Sequence, residues 1–325
     1  MSGVPVIELG SLRAGDKDAS AVAAAALDRA CREIGFFAVS GHGVAPALFT
    51  AARTAGRAFF ALPDAEKHAI ERPPARTSRG WSWVGDRALA YSLGQQTPPD
   101  LQESFAMGPL HEAPAGFPAD HPARGMYAAN LWPAEPAEFR PVCETLFAEL
   151  EALSHVILQG FALALGLPRT YFAAYNRHDT SNMRLLHYPA PQGVPLEGQL
   201  RAGEHSDYGS LTILDIEGVP GGLQIRGADG HWRDVRPVPG ALVCNIGDMM
   251  ARWTNDRWIS TLHRVGNPPP DAGDRLTIAY FQQPDWDAEI TCLDMSTTPR
   301  YPPARFADLY LAKQMAANRK ELAPA

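Results

Sequence analysis

Residues 205–216 read His-Ser-Asp-Tyr-Gly-Ser-Leu-Thr-Ile-Leu-Asp-Ile, so a pair of possible metal ligands leads directly into an apolar, β-branched run. The run from Ser210 to Ile216 predicts a strand. Two further apolar runs, Gly222–Arg226 and Ala241–Ile246, follow it after turn signals rich in glycine and proline. Several short strands at this spacing favour a closed sheet or a jelly roll.

The possible metal ligands are His205 and Asp207. They are two residues apart, and in a strand this spacing places both side chains on one face. A third ligand must come from elsewhere, and a jelly roll can bring His263 back beside His205. Two histidines and one carboxylate, with the other metal positions open, form the ligand set of non-haem Fe(II) oxygenases. We therefore predict that His205, Asp207 and His263 bind one Fe(II).

A second candidate site lies downstream, where Arg275 and Thr277 share one face of a predicted strand with Ala279 and Phe281. A buried arginine needs an anionic partner, and its planar fork holds a carboxylate with two parallel hydrogen bonds. A cosubstrate with a second carboxylate suits this position. With 2-oxoglutarate bound, the metal, Asp207, the dianion and Arg275 would together carry no net charge.

An ordered set of motifs resembles the isopenicillin N synthase-like family of Fe(II)/2-oxoglutarate-dependent oxygenases. A lone His-x-Asp is a weak signal, but the set as a whole is a strong one and covers nearly the whole chain. The motifs are Val4–Leu9, Gly35–Val39, Gly41–Val44, Leu185–Pro189, His205–Gly209, Gly221–Ile225, Asn245–Asp248, Arg252–Asn255, Ser260–Val265 and Arg275–Thr277.

The resemblance implies that the three ligands hold Fe(II) and that Arg275 and Thr277 bind the far carboxylate of 2-oxoglutarate. Tyr188 matches a tyrosine that assists the same carboxylate, and Arg184 matches a basic position near the substrate or cosubstrate. The implied fold is mainly β with flanking helices around a distorted double-stranded β-helix, or jelly roll. The implied activity is O2-dependent oxidation of an unactivated C–H bond of a small molecule in secondary or specialised metabolism. The outcome is hydroxylation, desaturation or cyclisation.

The organisation of the chain predicts one oxygenase domain over residues 1–325, because no polar linker divides it. We expect a strand-and-helix region over 1–100, the double-stranded β-helix core over 184–290 and a last helix over 303–320. Apolar residues recur at three- and four-residue intervals from Phe139 onward, which predicts a long amphipathic helix. Shorter elements are expected at Val4–Leu9 and Phe36–Ser40 (strands) and at Ser20–Ile34 and Pro46–Leu62 (helices).

Composition limits the possible partners and compartment. The net charge is −7 and no basic run is present, so we expect no nucleic-acid partner. The first nine residues lack the pattern of a signal peptide, and the apolar stretch Val156–Leu167 is too short to span a bilayer. Four widely spaced cysteines indicate reduced thiols. We therefore expect a cytoplasmic monomer with a small-molecule substrate and no membrane association.

The region Arg79–Met107 is open to two interpretations. Its aromatic residues Trp81, Trp83, Tyr91 and Phe105 could form a wall of the substrate pocket or part of the core. Outside this region, His42 in a Gly-His-Gly turn is expected to be structural, and His187 next to Tyr188 is expected to be structural or to line the pocket.

Two functional alternatives also stay open. One is an Fe(II) oxidase of the isopenicillin N synthase type that uses no 2-oxoglutarate. The other is a metal- or ligand-binding protein without turnover. Hydrolase and nucleotide-binding functions lack their motifs: the sequence has no His-Glu-x-x-His, no phosphate-binding glycine loop and no Gly-x-Ser-x-Gly.

Overall fold

The computed structural model describes residues 3–73, 78–118, 120–293 and 297–317. The strands are β1 (Val6–Glu8), β2 (Phe36–Ser40), β3 (Gly80–Ser82), β4 (Glu103–Met107), β5 (Asn182–Tyr188), β6 (Ala202–His205), β7 (Leu211–Asp215), β8 (Leu223–Arg226), β9 (Trp232–Asp234), β10 (Leu242–Ile246), β11 (His263–Val265), β12 (Arg275–Gln282), β13 (Glu289–Ile290) and β14 (Ala304–Arg305). The α-helices are α1 (Gly10–Ala14), α2 (Lys17–Glu33), α3 (Pro46–Phe60), α4 (Asp64–His68), α5 (Phe139–Ala164), α6 (Asp248–Trp253) and α7 (Phe306–Ala317), and short 3-10 helices cover Leu89–Leu93, Pro122–Tyr127 and Tyr171–Tyr175.

Two sheets form the centre of the fold. The major sheet has the strand order β1-β2-β10-β7-β12-β5-β4-β3, and the minor sheet has the order β6-β11-β8-β9. Neighbouring strands in both sheets are antiparallel, apart from the parallel pair β1 and β2. Residues of both sheets line one cavity. The predicted fold class, a jelly-roll core with flanking helices, is therefore confirmed.

Strand β12 separates the cavity from the main hydrophobic core. Alternate positions of Arg275–Phe281 line the cavity, beginning with the arginine. The intervening side chains of Leu276, Ile278 and Tyr280 lie in the core on the other face. There the ring centroid of Tyr280 is 5.3 Å from that of Phe147 in α5. The two-residue alternation predicted for this strand is confirmed, and it sorts polar from apolar side chains.

Helix α5 packs against the major sheet and supplies much of the core, including Leu146, Leu150 and Ile157. By length and composition alone, α5 could cross a membrane. The shorter apolar stretch Val156–Leu167, on which the sequence expectation rested, did not indicate this. The core helix of a soluble protein can have the same length and composition. In α5, 56% of the most apolar 18-residue segment is buried within the structure.

Several element boundaries differ from those predicted. Helix α2 begins at Lys17 because Asp16 caps it, accepting a hydrogen bond from the backbone N–H of Ala19 at 3.1 Å. Helix α7 covers Phe306–Ala317 of the expected 303–320, and residues 318–320 lie outside the described part of the chain. The sequence patterns did not reveal β3, β4, β9, α1, α4 or α6, which are three to six residues long.

The first hundred residues share a sheet with the core. Strands β1 and β2 extend the major sheet at one edge. Strand β3 extends it at the other edge, together with β4, which follows residue 100. The assignment of residues 1–325 to one domain stays a prediction.

A test of the fold concerns Gly35, which links α2 to β2 with φ +70°. A Cβ atom there would lie 2.0 Å from the carbonyl oxygen of Ile259, whereas at Gly230, with φ +80°, it would meet nothing within 4 Å. Positive φ alone costs an alanine roughly 1–2 kcal/mol. We therefore predict that Gly35→Ala lowers the thermal unfolding midpoint clearly more than Gly230→Ala does. Equal midpoints for the two variants would contradict the close packing at Gly35.

Candidate active site

The three predicted metal ligands come together at the edge of the minor sheet. His205 is the last residue of β6 and His263 the first of β11, and the two are directly paired, with ring centroids 4.3 Å apart. Asp207 lies in the loop beyond β6 rather than within the predicted strand. Its Oδ1 is 3.7 Å from Nε2 of His263. Each residue offers a ligand atom within 4.8 Å of the other two.

Both imidazoles are oriented by backbone carbonyls. Nδ1 of His205 lies 2.7 Å from the oxygen of Gly203, and Nδ1 of His263 lies 3.0 Å from that of Thr261. A carbonyl only accepts, so each Nδ1 carries a proton and Nε2 is the ring nitrogen left to bind a metal. Burial, followed by the neighbouring His263, lowers the pKa of His205 to about 3. His205 is therefore in the neutral form that binds metals.

The carboxylate of Asp207 is fixed through one oxygen. Oδ2 accepts hydrogen bonds from Oγ1 of Thr212 and Nδ2 of Asn245, both at 2.6 Å, which leaves Oδ1 free to bind a cation. Burial by itself raises the pKa of Asp207, but His263, His205 and these two hydrogen bonds together lower it. The group is therefore an anion at neutral pH.

No role for Thr212 or Asn245 was predicted from the sequence, although Asn245 begins one of the motifs of the resemblance. Each occupies a strand that was predicted from its apolar run, Ser210–Ile216 or Ala241–Ile246. A polar residue inside such a run is the signal that could have found them, since a buried polar side chain needs a partner.

The loop that carries Asp207 is held by two helices. The backbone N–H of Asp248, at the start of α6, donates to the carbonyl of Asp207 at 2.9 Å. Lys313 of α7 donates to Oγ of Ser206 at 2.9 Å and forms an ion pair with Asp248. Asp248 ends the motif Asn245–Asp248, whereas Lys313 had no sequence signal, because its partners lie far away along the chain.

The predicted cosubstrate site lies at the start of β12. Arg275 is paired with Tyr188 of β5, and its guanidinium carbon lies 5.2 Å from the centre of the tyrosine ring. Arg275 is 1% exposed, yet its Nε and Nη1 have no hydrogen-bond partner among the described residues. The hydroxyl of Thr277 also lacks one. Burial lowers the pKa of Arg275 from its ordinary value. Such unsatisfied donors fit an anion.

These groups line a cavity of about 680 Å³ between the sheets, a size suited to small molecules. The aromatic residues of Arg79–Met107 divide between the two interpretations. Trp83 and Tyr91 line the cavity, whereas Trp81 and Phe105 are in the core.

The remaining predicted residues lie on both faces of the sheet. Arg184 lines the cavity. It lies two residues before Leu186 in β5, on the same face of the strand as Tyr188. His187 points to the other face, where it lies 2.8 Å from Glu103 and stacks on Phe60, so its role is structural. His42 is structural as well, because its Nδ1 accepts a hydrogen bond from the N–H of Val44 in the same turn.

The donor set fits the cofactors of the predicted class. Two imidazoles and one carboxylate suit Fe(II). The unpartnered donors of Arg275 and Thr277, in the same cavity, suit the far carboxylate of 2-oxoglutarate.

Comparison with known proteins agrees with this chemistry. Residues 4–135 match the N-terminal region of the non-haem dioxygenases in morphine synthesis, and residues 180–284 match the 2OG-Fe(II) oxygenase superfamily. Validamycin A dioxygenase of Streptomyces hygroscopicus subsp. limoneus is 34% identical over 89% of this chain and 79% of its own. A homoarginine-6-hydroxylase of Oryza sativa subsp. japonica is 36% identical over 81% and 78%. The crystal structure of a Neurospora crassa protein in complex with alpha-KG and thymine has a TM-score of 0.80, at 28% identity over 97% and 96%.

The chain therefore belongs to the 2OG-Fe(II) oxygenase superfamily. It is an Fe(II)- and 2-oxoglutarate-dependent dioxygenase that acts on a small molecule. The comparisons give no support to an oxidase that works without 2-oxoglutarate.

The hydrogen bonds to Asp207 provide a test of the metal centre. We predict that Asn245→Ala and Thr212→Val each weaken Fe(II) binding by roughly 10- to 100-fold, because the carboxylate loses the group that orients it. Thr212→Ser keeps the hydroxyl and should retain most of the affinity. Anaerobic Fe(II) titration of the three variants and the wild type measures the effect. Wild-type affinity in both Asn245→Ala and Thr212→Val would rule out this orienting role.

Proposed function

We propose that His205, Asp207 and His263 are the ligands of the catalytic iron. Their support is the arrangement of free ligand atoms: Nε2 on each imidazole and Oδ1 on the carboxylate, with every other side-chain nitrogen or oxygen engaged. The three residues occupy one end of a cavity large enough for a small substrate. When iron and 2-oxoglutarate are bound, they supply with O2 the oxidising power for cleavage of an unactivated C–H bond.

We further propose that Arg275, Thr277 and Tyr188 bind the far carboxylate of 2-oxoglutarate. The observation that carries this proposal is the pair of unpartnered nitrogens on the buried guanidinium of Arg275. An uncompensated buried charge of this kind is strongly destabilising, and a carboxylate removes the penalty. Burial raises the pKa of Tyr188, so its phenol stays protonated and can donate.

The chain's residues thus bind and orient rather than exchange protons with the substrate. The carboxylate of Asp207 stays ionised and His205 stays neutral, so neither has to change its protonation state to hold the metal. The apolar walls of the cavity, such as Leu214 and Leu223, limit water around the reacting groups.

The remaining properties are also proposals. One domain over residues 1–325 is supported by the shared major sheet. We propose a cytoplasmic, monomeric protein that binds neither nucleic acid nor membrane. The net charge of −7 argues against nucleic acid, and the buried thiols of Cys31, Cys143 and Cys244 fit a reducing compartment. Light scattering and cell fractionation test the oligomeric state and the compartment.

Removal of the carboxylate tests the iron assignment. Asp207→Ala should abolish Fe(II) binding and 2-oxoglutarate turnover, because it removes the anionic ligand of the set. Asp215→Ala, on the following strand, removes a partly buried carboxylate that pairs with Arg53 and is the matched control. It should bind iron as the wild type does. Retention of wild-type iron affinity in Asp207→Ala would defeat the assignment.

Substitution of Arg275 tests the cosubstrate assignment. Arg275→Ala should weaken 2-oxoglutarate binding strongly, since each charge-assisted hydrogen bond contributes about 1.5–3 kcal/mol. Iron affinity should stay nearly unchanged because the metal ligands are separate residues. Arg275→Lys should recover only part of the binding, since an ammonium cannot form the two-bond fork. The measurement is the metal-to-ligand charge-transfer absorbance as 2-oxoglutarate is titrated into the anaerobic Fe(II) protein. Equal affinity in the wild type and Arg275→Ala contradicts the proposal.

A further inference from the structure

Two arginines of the cavity have donors without partners. Arg184 donates one hydrogen bond, from Nη2 to Oγ of Ser78 at 3.2 Å, and its buried Nε has no partner among the described residues. The guanidinium of Arg87 forms no hydrogen bond with any described residue, and its nearest carboxylate, Asp86, is 3.9 Å from Nε. Both side chains line the cavity.

Two other buried arginines, Arg79 and Arg201, each make several hydrogen bonds. Arg79 donates to the carbonyls of Ser78, Met126 and Ala128, at 2.5–3.1 Å. Arg201 likewise donates to backbone carbonyls on three neighbouring segments. A buried Nε without a partner also occurs in Arg53, Arg72, Arg252 and Arg257, but each of these guanidiniums donates to a carboxylate or a carbonyl oxygen. Arg87 and Arg184 donate to neither kind of oxygen among the described residues, so their free donors need another explanation.

The nearby acidic residues do not balance these charges. Asp86 accepts two hydrogen bonds from Nη2 of Arg72, at 3.2 and 3.3 Å, so its charge is already matched. Glu71 lies 2.7 Å from Nδ1 of His68. Asp100 also interacts with Arg87, but its oxygens accept hydrogen bonds from the backbone N–H groups of Leu89 and Gly203. Arg72, Arg87 and Arg184 therefore outnumber Asp86 and Asp100 by one positive charge. Burial, followed by Arg184 and Arg72, lowers the pKa of Arg87 to about 9, which reflects the same excess.

The position of the two arginines separates them from the cosubstrate site. Arg184 faces Ala279, whereas Tyr188, four residues further along β5, faces Arg275. Four residues of strand span about 13 Å between backbone positions. The guanidinium of Arg184 lies beside Phe281, which is further along β12 from Arg275. The resemblance places Arg184 near the substrate or cosubstrate, and this separation favours the substrate.

The segment of Arg87 is fixed beside the strand that carries His205. Asp100 accepts hydrogen bonds from the backbone N–H of Leu89 at 3.0 Å and from that of Gly203 in β6 at 2.9 Å. The segment of Arg87 is therefore tied to β6 by a buried carboxylate. A group bound to Arg87 would lie in the same cavity as the proposed iron ligands.

We propose that the substrate is an organic acid, and that Arg87 and Arg184 bind its carboxylate while Trp83, Tyr91 and Phe281 contact its apolar part. The proposal rests on the iron and 2-oxoglutarate assignments above. A carboxylate accepts from a guanidinium fork with two parallel bonds and neutralises the excess charge. The ring of Phe281, whose centre lies 5.6 Å from the guanidinium carbon of Arg184, places an apolar surface directly beside this anchor.

Matched acids and amides test the proposal. The probes are the ω-phenylalkanoates from phenylacetate to 6-phenylhexanoate and the corresponding carboxamides, titrated by calorimetry into the anaerobic protein loaded with Fe(II) and 2-oxoglutarate. The series varies the distance between ring and carboxylate. We expect at least one acid to bind roughly 10- to 100-fold more tightly than its amide. Arg87→Gln and Arg184→Gln should each remove most of this preference, and Arg184→Lys should restore part of it.

The control is Arg140→Gln, which removes the same charge from an exposed pair with Glu144 on α5 and should keep the full preference. Charge-transfer titration must show unchanged 2-oxoglutarate affinity in Arg87→Gln and Arg184→Gln. Absence of 2-oxoglutarate binding in the wild type would defeat the proposed function itself. If 2-oxoglutarate binds normally but no acid is preferred over its amide, only the substrate proposal is overturned. The same holds if the preference persists in both Arg87→Gln and Arg184→Gln. Failure of every acid to bind counts against the substrate proposal equally.

A second measurement does not depend on the probe. Two uncompensated, neighbouring guanidiniums destabilise the ligand-free protein, so Arg87→Gln and Arg184→Gln should each raise its thermal unfolding midpoint. If the arginines served the fold, as Arg79 does, the same substitutions would lower the midpoint. A lower midpoint in both variants would therefore contradict a ligand-binding role.

Discussion

The buried carboxylate of Asp207 is the constraint on which the arrangement of the two sheets depends. Its oxygens need partners, and the partners come from different elements. Thr212 and Asn245, which are directly paired across β7 and β10, reach it from the major sheet, while His263 lies beside it in the minor sheet. The pairing of β7 with β10 places two donors side by side. A shift of either strand would leave a buried anion with too few hydrogen bonds, so the fold and the metal centre are stabilised together.

The cavity combines two regions of unsatisfied positive charge on one face of β5 and β12. Arg275 lies at one end and Arg184 lies further along, with the metal centre in the same cavity. Each arginine is tolerated because the scaffold around it is rigid and because an anion can complete its hydrogen bonds. In both places the unpaired charge makes the ligand-free fold less stable, and the same charge makes binding selective for anions. Such a loss of stability is common at functional sites.

The sequence predicted the parts of the site that depend on short-range periodicity. The alternation in Arg275–Phe281 placed Arg275 and Thr277 on the cavity face, and the apolar runs located β7, β8 and β10. What it could not predict depends on contacts between distant segments. The ion pair of Lys313 with Asp248 is one example. Another is the difference between Arg79, which donates hydrogen bonds to backbone carbonyls, and Arg87, which does not. Both arginines precede short or irregular elements, and nothing local distinguishes them.

The two faces of β12 have a consequence for how this strand can change over generations. Arg275 and Thr277 face the cavity while Leu276 and Ile278 face the core, so gain or loss of a single residue within the strand would exchange the two sets. The guanidinium would enter the apolar interior and a leucine would replace it in the cavity. In genetic terms, a substitution in β12 disturbs one face at a time, whereas a one-codon insertion or deletion would disturb the core and the proposed cosubstrate site in a single step.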